Sequence, residues 1–193
     1  MQNPDNMHLQ AVKRILRYVK GTINHGLRII SQFSFILYGL SDADCAGCTI
    51  TRRSNAGYNV YLGANGVSWS SRKKNTVARS SDEAEYGTLA AAAVVITWIS
   101  YILQDIGMYI KTAHILFCDN LSSLYMIINP VMHVRTKHVE LDYHFVREKV
   151  AQGQLITQFI RSKDQLGDVH TKALGNDQFQ FFRDKLGVMN SPY

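Results

Sequence analysis

Cysteine is scarce in this chain, with three among 193 residues: Cys45, Cys48 and Cys118. A four-cysteine zinc site cannot be completed from them, and a mixed site would need a distant histidine. Cys45 and Cys48 form a C-x-x-C, but it lies in a glycine-containing turn. A redox pair belongs at the start of a helix, where the dipole lowers a thiol pKa. Ordinary reduced thiols of an intracellular protein are therefore expected. Apolar runs are expected to be broken by Lys, Arg, Asp or a turn before the roughly 18 residues of a membrane span. The basic-then-apolar layout of a secretory signal is missing from the N-terminus. Internal repeats and low-complexity tracts are missing too. Acidic residues are the minority charge, 15 against 21 Lys+Arg, which leaves a formal net charge of +6. That excess favours an anionic partner without naming one.

What is present suits one compact domain with a sizeable core, since 46% of residues are hydrophobic. Leu9, Val12, Leu16 and Val19 recur at helical spacing over 8–20, with Lys13, Arg17 and Lys20 along another face and Gly21 as a stop. That helix reads as a basic backbone-binding helix or, more simply, as a packing helix with a solvated side. A linker is placed at 26–32. The run 33–40 reads as a buried strand that ends at Asp42. Strands follow over 57–62 and 67–71, joined through Gly63-Ala64-Asn65-Gly66, whose Asn-Gly pair favours a tight hairpin. Ser80 caps a long apolar helix with Glu83 in the capping-box position, and Gly107 ends it. A short strand 113–118 leads to Asp119, and helices are read over 121–128 and 140–151. A last strand covers 154–160, and tail helices cover 164–174 and 178–186. A meander followed by αβ units predicts an α/β fold with one mixed sheet flanked by helices.

Four acids stand out in this layout: Asp42, Glu85, Asp119 and Asp168. Singly, each reads as a cap or a surface charge. Together at one sheet edge they would repel unless a counter-charge compensates them. Hard divalent cations with oxygen ligands supply that compensation, and Mg²⁺ commonly meets substrate phosphate. Two such ions roughly 4 Å apart clamp the attacking and leaving oxygens of a phosphoryl displacement. In a basic protein this points to nucleic-acid hydrolysis. A histidine-based zinc site through His133, His138 and His144 is disfavoured, because their spacing does not stack on one helix face.

The segments Ser41-Asp42-Ala43-Asp44, Ser80-Ser81-Asp82-Glu83-Ala84-Glu85-Tyr86, Cys118-Asp119-Asn120 and Asp164-Gln165-Leu166-Gly167-Asp168 resemble the ribonuclease H domain of copia-type retrotransposon Pol polyproteins. Arg135 to Glu140, Tyr143 to Glu148, Thr51 to Ser54 and Trp69 to Lys73 are similar to further segments of that family. The opening helix resembles the end of the preceding reverse transcriptase. The resemblance implies a ribonuclease H-like fold with a mixed five-stranded sheet, three antiparallel strands and then parallel ones. It implies a division into a reverse-transcriptase remnant at 1–27, the ribonuclease H-like domain at 33–175, and a C-terminal helix and tail at 176–193.

The activity implied is Mg²⁺-dependent cleavage of the RNA strand of RNA–DNA hybrids through two ions, with Mn²⁺ as a substitute. Asp42, Glu85, Asp119 and Asp168 carry over as metal ligands, with Asp44 a rival for Asp42. Asn120 and Ser122 are candidates for reading the 2′-hydroxyl. Arg72, Lys73 and Lys74 are candidates for holding phosphates. The reverse transcriptase portion of the same polyprotein is the implied protein partner, and a cytoplasmic virus-like particle the implied location. The sequence departs from the family pattern at Cys45 (usually Trp), Gly167 (usually Ala), His170 (usually aromatic or apolar) and Ala173 (usually Pro). Competing readings are a decayed or host-adopted nucleic-acid-binding remnant and, less directly, an integrase-like transferase.

Overall fold

The computed structural model describes residues 3–32, 34–129 and 137–190. His133, Pro130 and the 135–136 part of one family-like segment lie outside the described residues, as does the side chain of His138. The main sheet has five strands in the order β4-β3-β2-β5-β6. These are β2 (Leu37–Asp44), β3 (Asn55–Leu62), β4 (Asn65–Lys73), β5 (His114–Cys118) and β6 (Leu155–Phe159). β2, β3 and β4 form the antiparallel meander, and β5 and β6 add in parallel on the other side of β2. The mixed five-stranded sheet expected from the sequence is therefore observed.

The helices cover this sheet for legible reasons. α2 (Ser81–Asp105) starts where the Ser80 hydroxyl accepts from the Glu83 amide at 3.1 Å. The Glu83 carboxylate turns back to accept from the Arg79 amide at 2.9 Å rather than from the cap residue itself. Leu89, Ala92, Ala93 and Ile96 are fully buried with Leu37, Val60 and Leu116 of the sheet. No charge stands between Glu85 and Asp105, so α2 is long and apolar enough to cross a membrane by length and composition. The expectation that every apolar run is interrupted is thus wrong. In this fold the apolarity fills the core on one side, while Val94, Trp98 and Tyr101 are exposed on the other.

α3 (Leu121–Ile128) and α4 (Lys137–Ala151) pack beside it. Tyr86 of α2 stacks on Tyr143 of α4 with ring centroids 3.9 Å apart. Stacking of buried rings contributes about 0.5–1.5 kcal/mol beyond the area buried.

Three boundaries differ from the sequence reading. The first core strand spans Leu37–Asp44, starting later than expected and running past Asp42 rather than ending there, because both its faces are covered. A strand buried on both faces shows no alternation, so only the charge marked Asp42, and it marked the strand's end wrongly. The expected linker contains part of β1 (His25–Leu27), which pairs antiparallel with β7 (Val188–Asn190) in a two-stranded ribbon. The expected helix over 164–174 is a single 3₁₀ turn, Ser162–Asp164, followed by the short α5 (Asp168–Thr171). α6 (Asn176–Lys185) then leads into β7. At the other end, α1 (Asn6–Gly21) is capped by Asp5 and buries none of its residues.

Candidate active site

The centre of the site is the C-terminal half of β2. Asp42 is 1% exposed and pairs across β3 with Gly57. Glu85 comes from the first turns of α2, Asp119 from the residue after β5, and Asp168 from the first turn of α5. Carboxylate oxygens of Asp42, Asp119 and Asp168 lie within 4.8 Å of one another. Glu85 groups within the same distance with Asp119 and Cys118. An open cleft of 420 Å³ is lined by Asp42, Glu85, Asp119, Asn120, Ser122, Phe159 and Lys172. Asp44, at the strand's last position, belongs to neither group.

Long-range packing brings these residues together. Two glycines permit the close approach of α5. A Cβ on Gly57 would lie 2.5 Å from His170 Cβ, and one on Gly167 would lie 2.8 Å from Asp42 Cβ. The Gln165 amide, fully buried, donates to Ser41 O at 2.9 Å and accepts from the Gly167 amide at 3.1 Å. His170 Nε2 meets Asn59 Oδ1 at 2.8 Å, so its ring faces β3 and not the carboxylates. On the other flank Asp82 ties α2 to α3. Its side chain accepts from Asn120 Nδ2 at 3.1 Å, and its carbonyl accepts from the Ser123 hydroxyl at 3.1 Å. Glu85 and Asp119 are thereby held in register.

The electrostatics of the cluster are unusual. Glu85 is 7% exposed, and its Oε2 has no hydrogen-bond partner among the described residues. Burial, then the Asp42 charge, push its carboxyl up to about 8, against the hydrogen bond from the Ala43 amide. Burial likewise raises Asp168 to about 6, opposed by its hydrogen bond from Lys172. Lys172 was missed in the sequence. Its Nζ donates to Asp168 Oδ1 at 2.7 Å and to Asp42 Oδ1 at 3.1 Å. Burial alone would lower its pKa, but the bond to Asp168 and the Asp42 charge outweigh it and hold the ammonium above its usual range. The Thr171 hydroxyl donates to Asp42 Oδ2. The signal for Lys172 was its i+4 spacing from Asp168.

These donors fit hard divalent cations. Among the described residues every clustered group but one is a carboxylate, and the orphaned, buried carboxylate oxygen belongs to Glu85, which lines the cleft. The exception, Cys118, is buried and its thiol is pushed up to about 12, so it is a poor ligand beside three aspartates.

The sequence-predicted substrate residues are placed less uniformly. Asn120 caps α3, with Oδ1 accepting from Ser123 and Nδ2 bound to Asp82, so both ends of its amide are engaged. Ser122 is exposed at the mouth of the cleft. Arg72, Lys73 and Lys74 border a separate groove of 930 Å³ with Tyr58 and Trp69. Lys74 Nζ donates to Gly87 O at 3.1 Å, and Lys73 Nζ to Cys48 Sγ at 3.0 Å. That lysine, with Thr51, lowers the Cys48 thiol to about 6. All three cysteines are free.

Comparison with known proteins agrees with this layout. No family model matches the chain. The retrovirus-related Pol polyprotein from transposon RE1 of Arabidopsis thaliana is 43% identical over 192 residues, covering 100% of this chain and 13% of that protein. The corresponding polyprotein from transposon TNT 1-94 of Nicotiana tabacum is 32% identical over 188 residues, covering 97% of this chain and 14% of that protein. The chain thus spans only about an eighth of the first relatives' length.

Among solved structures, the N-terminal ribonuclease H domain of a Mycobacterium tuberculosis protein superposes with a TM-score of 0.53 at 13% identity, covering 78% of this chain and 98% of that one. LC11-RNase H1, isolated from compost by a metagenomic approach, gives 0.53 at 14%, covering 77% and 98%. These likenesses establish the fold, and the polyprotein identities establish the lineage. The chain belongs to the copia-type retrotransposon Pol polyproteins and is their ribonuclease H-fold region.

Proposed function

We propose that this region is a ribonuclease H-type endonuclease that cleaves the RNA strand of RNA–DNA hybrids, with Asp42, Glu85, Asp119 and Asp168 holding two Mg²⁺ ions. The observation that carries the reading is the convergence of three aspartate oxygens within 4.8 Å beside the unpartnered, buried Glu85 Oε2. When bound, such ions supply a nucleophilic water and stabilise the departing 3′ oxygen. The chain's own residues do the positioning. Asp42 on the rigid central strand fixes one wall, the Asp82–Asn120–Ser123 tie sets the other, and α5 closes the third side.

Ser122, at the mouth, is the better candidate for the RNA 2′-hydroxyl, because the Asn120 amide is committed to its cap and to Asp82. The groove by Arg72 and Trp69 is the proposed track for backbone phosphates, with Lys73 and Lys74 joining only if they leave their present partners. LC11-RNase H1 has been solved with an RNA/DNA hybrid, at a TM-score of 0.51 to this chain, which supports the substrate class. We assign α1, with its unburied apolar face, to the boundary with the reverse transcriptase portion of the polyprotein.

A labelled RNA–DNA hybrid incubated with the protein and Mg²⁺ tests the reading. RNA-strand cleavage that disappears in Asp119→Asn, with hybrid binding retained, is expected. Folded protein that binds the hybrid but never cuts it would instead establish the binding-remnant reading, which the bridging of Asp42 and Asp168 by Lys172 favours.

A further inference from the structure

We propose that Lys172 is a resident counter-cation of the carboxylate cluster, and that a divalent ion must displace its ammonium to bind between Asp42 and Asp168. The inference rests on the metal site proposed above. Lys172 Nζ is 2.7 Å from Asp168 Oδ1 and 3.1 Å from Asp42 Oδ1, and it bridges two acids that are 6% and 1% exposed. The second Asp42 oxygen is already bonded by Thr171. Mg²⁺ demands oxygen ligands at about 2.1 Å in an octahedron. An ammonium on those same oxygens would stand within a few Å of the ion, where like charges repel strongly. Lys172 and the ion therefore exclude each other.

The lysine has a route out of the cluster. It follows the last residue of α5, its side chain is 42% exposed, and it opens onto the cleft that holds Ser122. Its four-carbon stem lets the head move to water while the backbone stays in place. Glu85 and Asp119, the other carboxyl groups lining the cleft, remain for the ion. Lys172 is in this sense a positioning residue. It keeps the buried acids together until the metal arrives.

Calorimetric titration of MgCl₂ into wild type and Lys172→Met tests this directly. The variant should bind Mg²⁺ more tightly, on the order of tenfold, because one competing positive charge is gone. In chelator the variant should melt at a lower temperature than wild type, and Mg²⁺ should raise its Tm by more. Equal or weaker Mg²⁺ binding by the variant, with wild type binding normally, would overturn the proposal while leaving the metal site standing. If neither protein binds Mg²⁺, both fall.

Should Lys172→Met fail to fold in chelator, the wild-type protein still decides. Its ¹⁵N-labelled Lys172 ammonium signal, assigned by its loss in Lys172→Arg, should be protected from exchange in chelator and lose that protection with saturating Mg²⁺. A signal unchanged by bound Mg²⁺ would refute displacement.

Discussion

The two charged regions of this molecule, the carboxylate edge and the basic end of the β3–β4 hairpin, are built from equally ordinary residues but in opposite ways. At the carboxylate edge, Asp42, Glu85 and Asp168 are each less than a tenth exposed, and they meet through contacts that span up to 130 residues. At the hairpin end, Arg72 and Lys73 are exposed, and Lys73 finds its partner 25 residues away on a neighbouring turn. Charge in water is weakly coupled to its surroundings, whereas charge removed from water must be compensated at once. The first region therefore specifies geometry, and the second supplies attraction.

Substituting the two regions should separate these roles. Asp42→Asn should lower single-turnover cleavage of a hybrid by about a thousandfold, the scale of several kcal/mol of lost metal-borne stabilisation. Hybrid affinity, measured by anisotropy, should change little. If cleavage survives, the carboxylate edge is not the chemical centre.

Backbone crowding gives the next largest contrast. Gly167→Ala would push a methyl to 2.8 Å from Asp42 Cβ, whereas Gly66→Ala in the hairpin would meet only Tyr61 at 3.6 Å. Denaturant unfolding should show a loss of about 1–3 kcal/mol for the first and within about 0.5 kcal/mol for the second. Equal effects would mean that α5 is not tightly seated.

Acidity sharpens the comparison further. Burial raises Glu85 to about 8 from an ordinary 4.5, so the folded chain binds more protons than the unfolded chain between those values. In chelator, stability should therefore fall as pH rises from 4.5 to about 8. Glu85→Gln should flatten that slope, as followed by Tm against pH.

At the basic end the effects should be smaller. Arg72→Ala should weaken hybrid binding uniformly across sequences and reduce the salt slope by about one. Cys48, with its thiol lowered to about 6, should alkylate faster than Cys45 or Cys118, and Lys73→Met should slow it. Mass spectrometry of iodoacetamide-treated protein reads this directly.

Much of this was legible in the residues, and what was not has a common cause. The β3–β4 hairpin, the Ser80 cap and the acid after β5 are local signals that the structure carries, but the hairpin turns at Gly63-Ala64, and Asn65-Gly66 already pairs in β4. Asp42 was found but placed at a strand end, since the groups that stabilise it inside the sheet, Thr171 and Lys172, lie 129 and 130 residues away. Lys172 was passed over because a lone lysine within an expected tail helix is usually solvated. The departure at Gly167, where the family pattern usually has Ala, falls where an added Cβ would lie 2.8 Å from Asp42 Cβ. The β1–β7 ribbon was invisible because three-residue strands carry no period.

Sequence alone therefore determined the order of the five main-sheet strands and of the helices between them, and the identity of the acids, because capping, turn chemistry and family-like segments act over a few residues. It also determined that α1 has an apolar face, with Leu9, Val12, Leu16 and Val19 in line. Tertiary structure decided the rest. It left that face exposed and put the less periodic α2 in the core. It also set an ammonium among buried carboxylates. Periodicity records that a face wants a partner, and only folding in three dimensions determines which faces and charges find one.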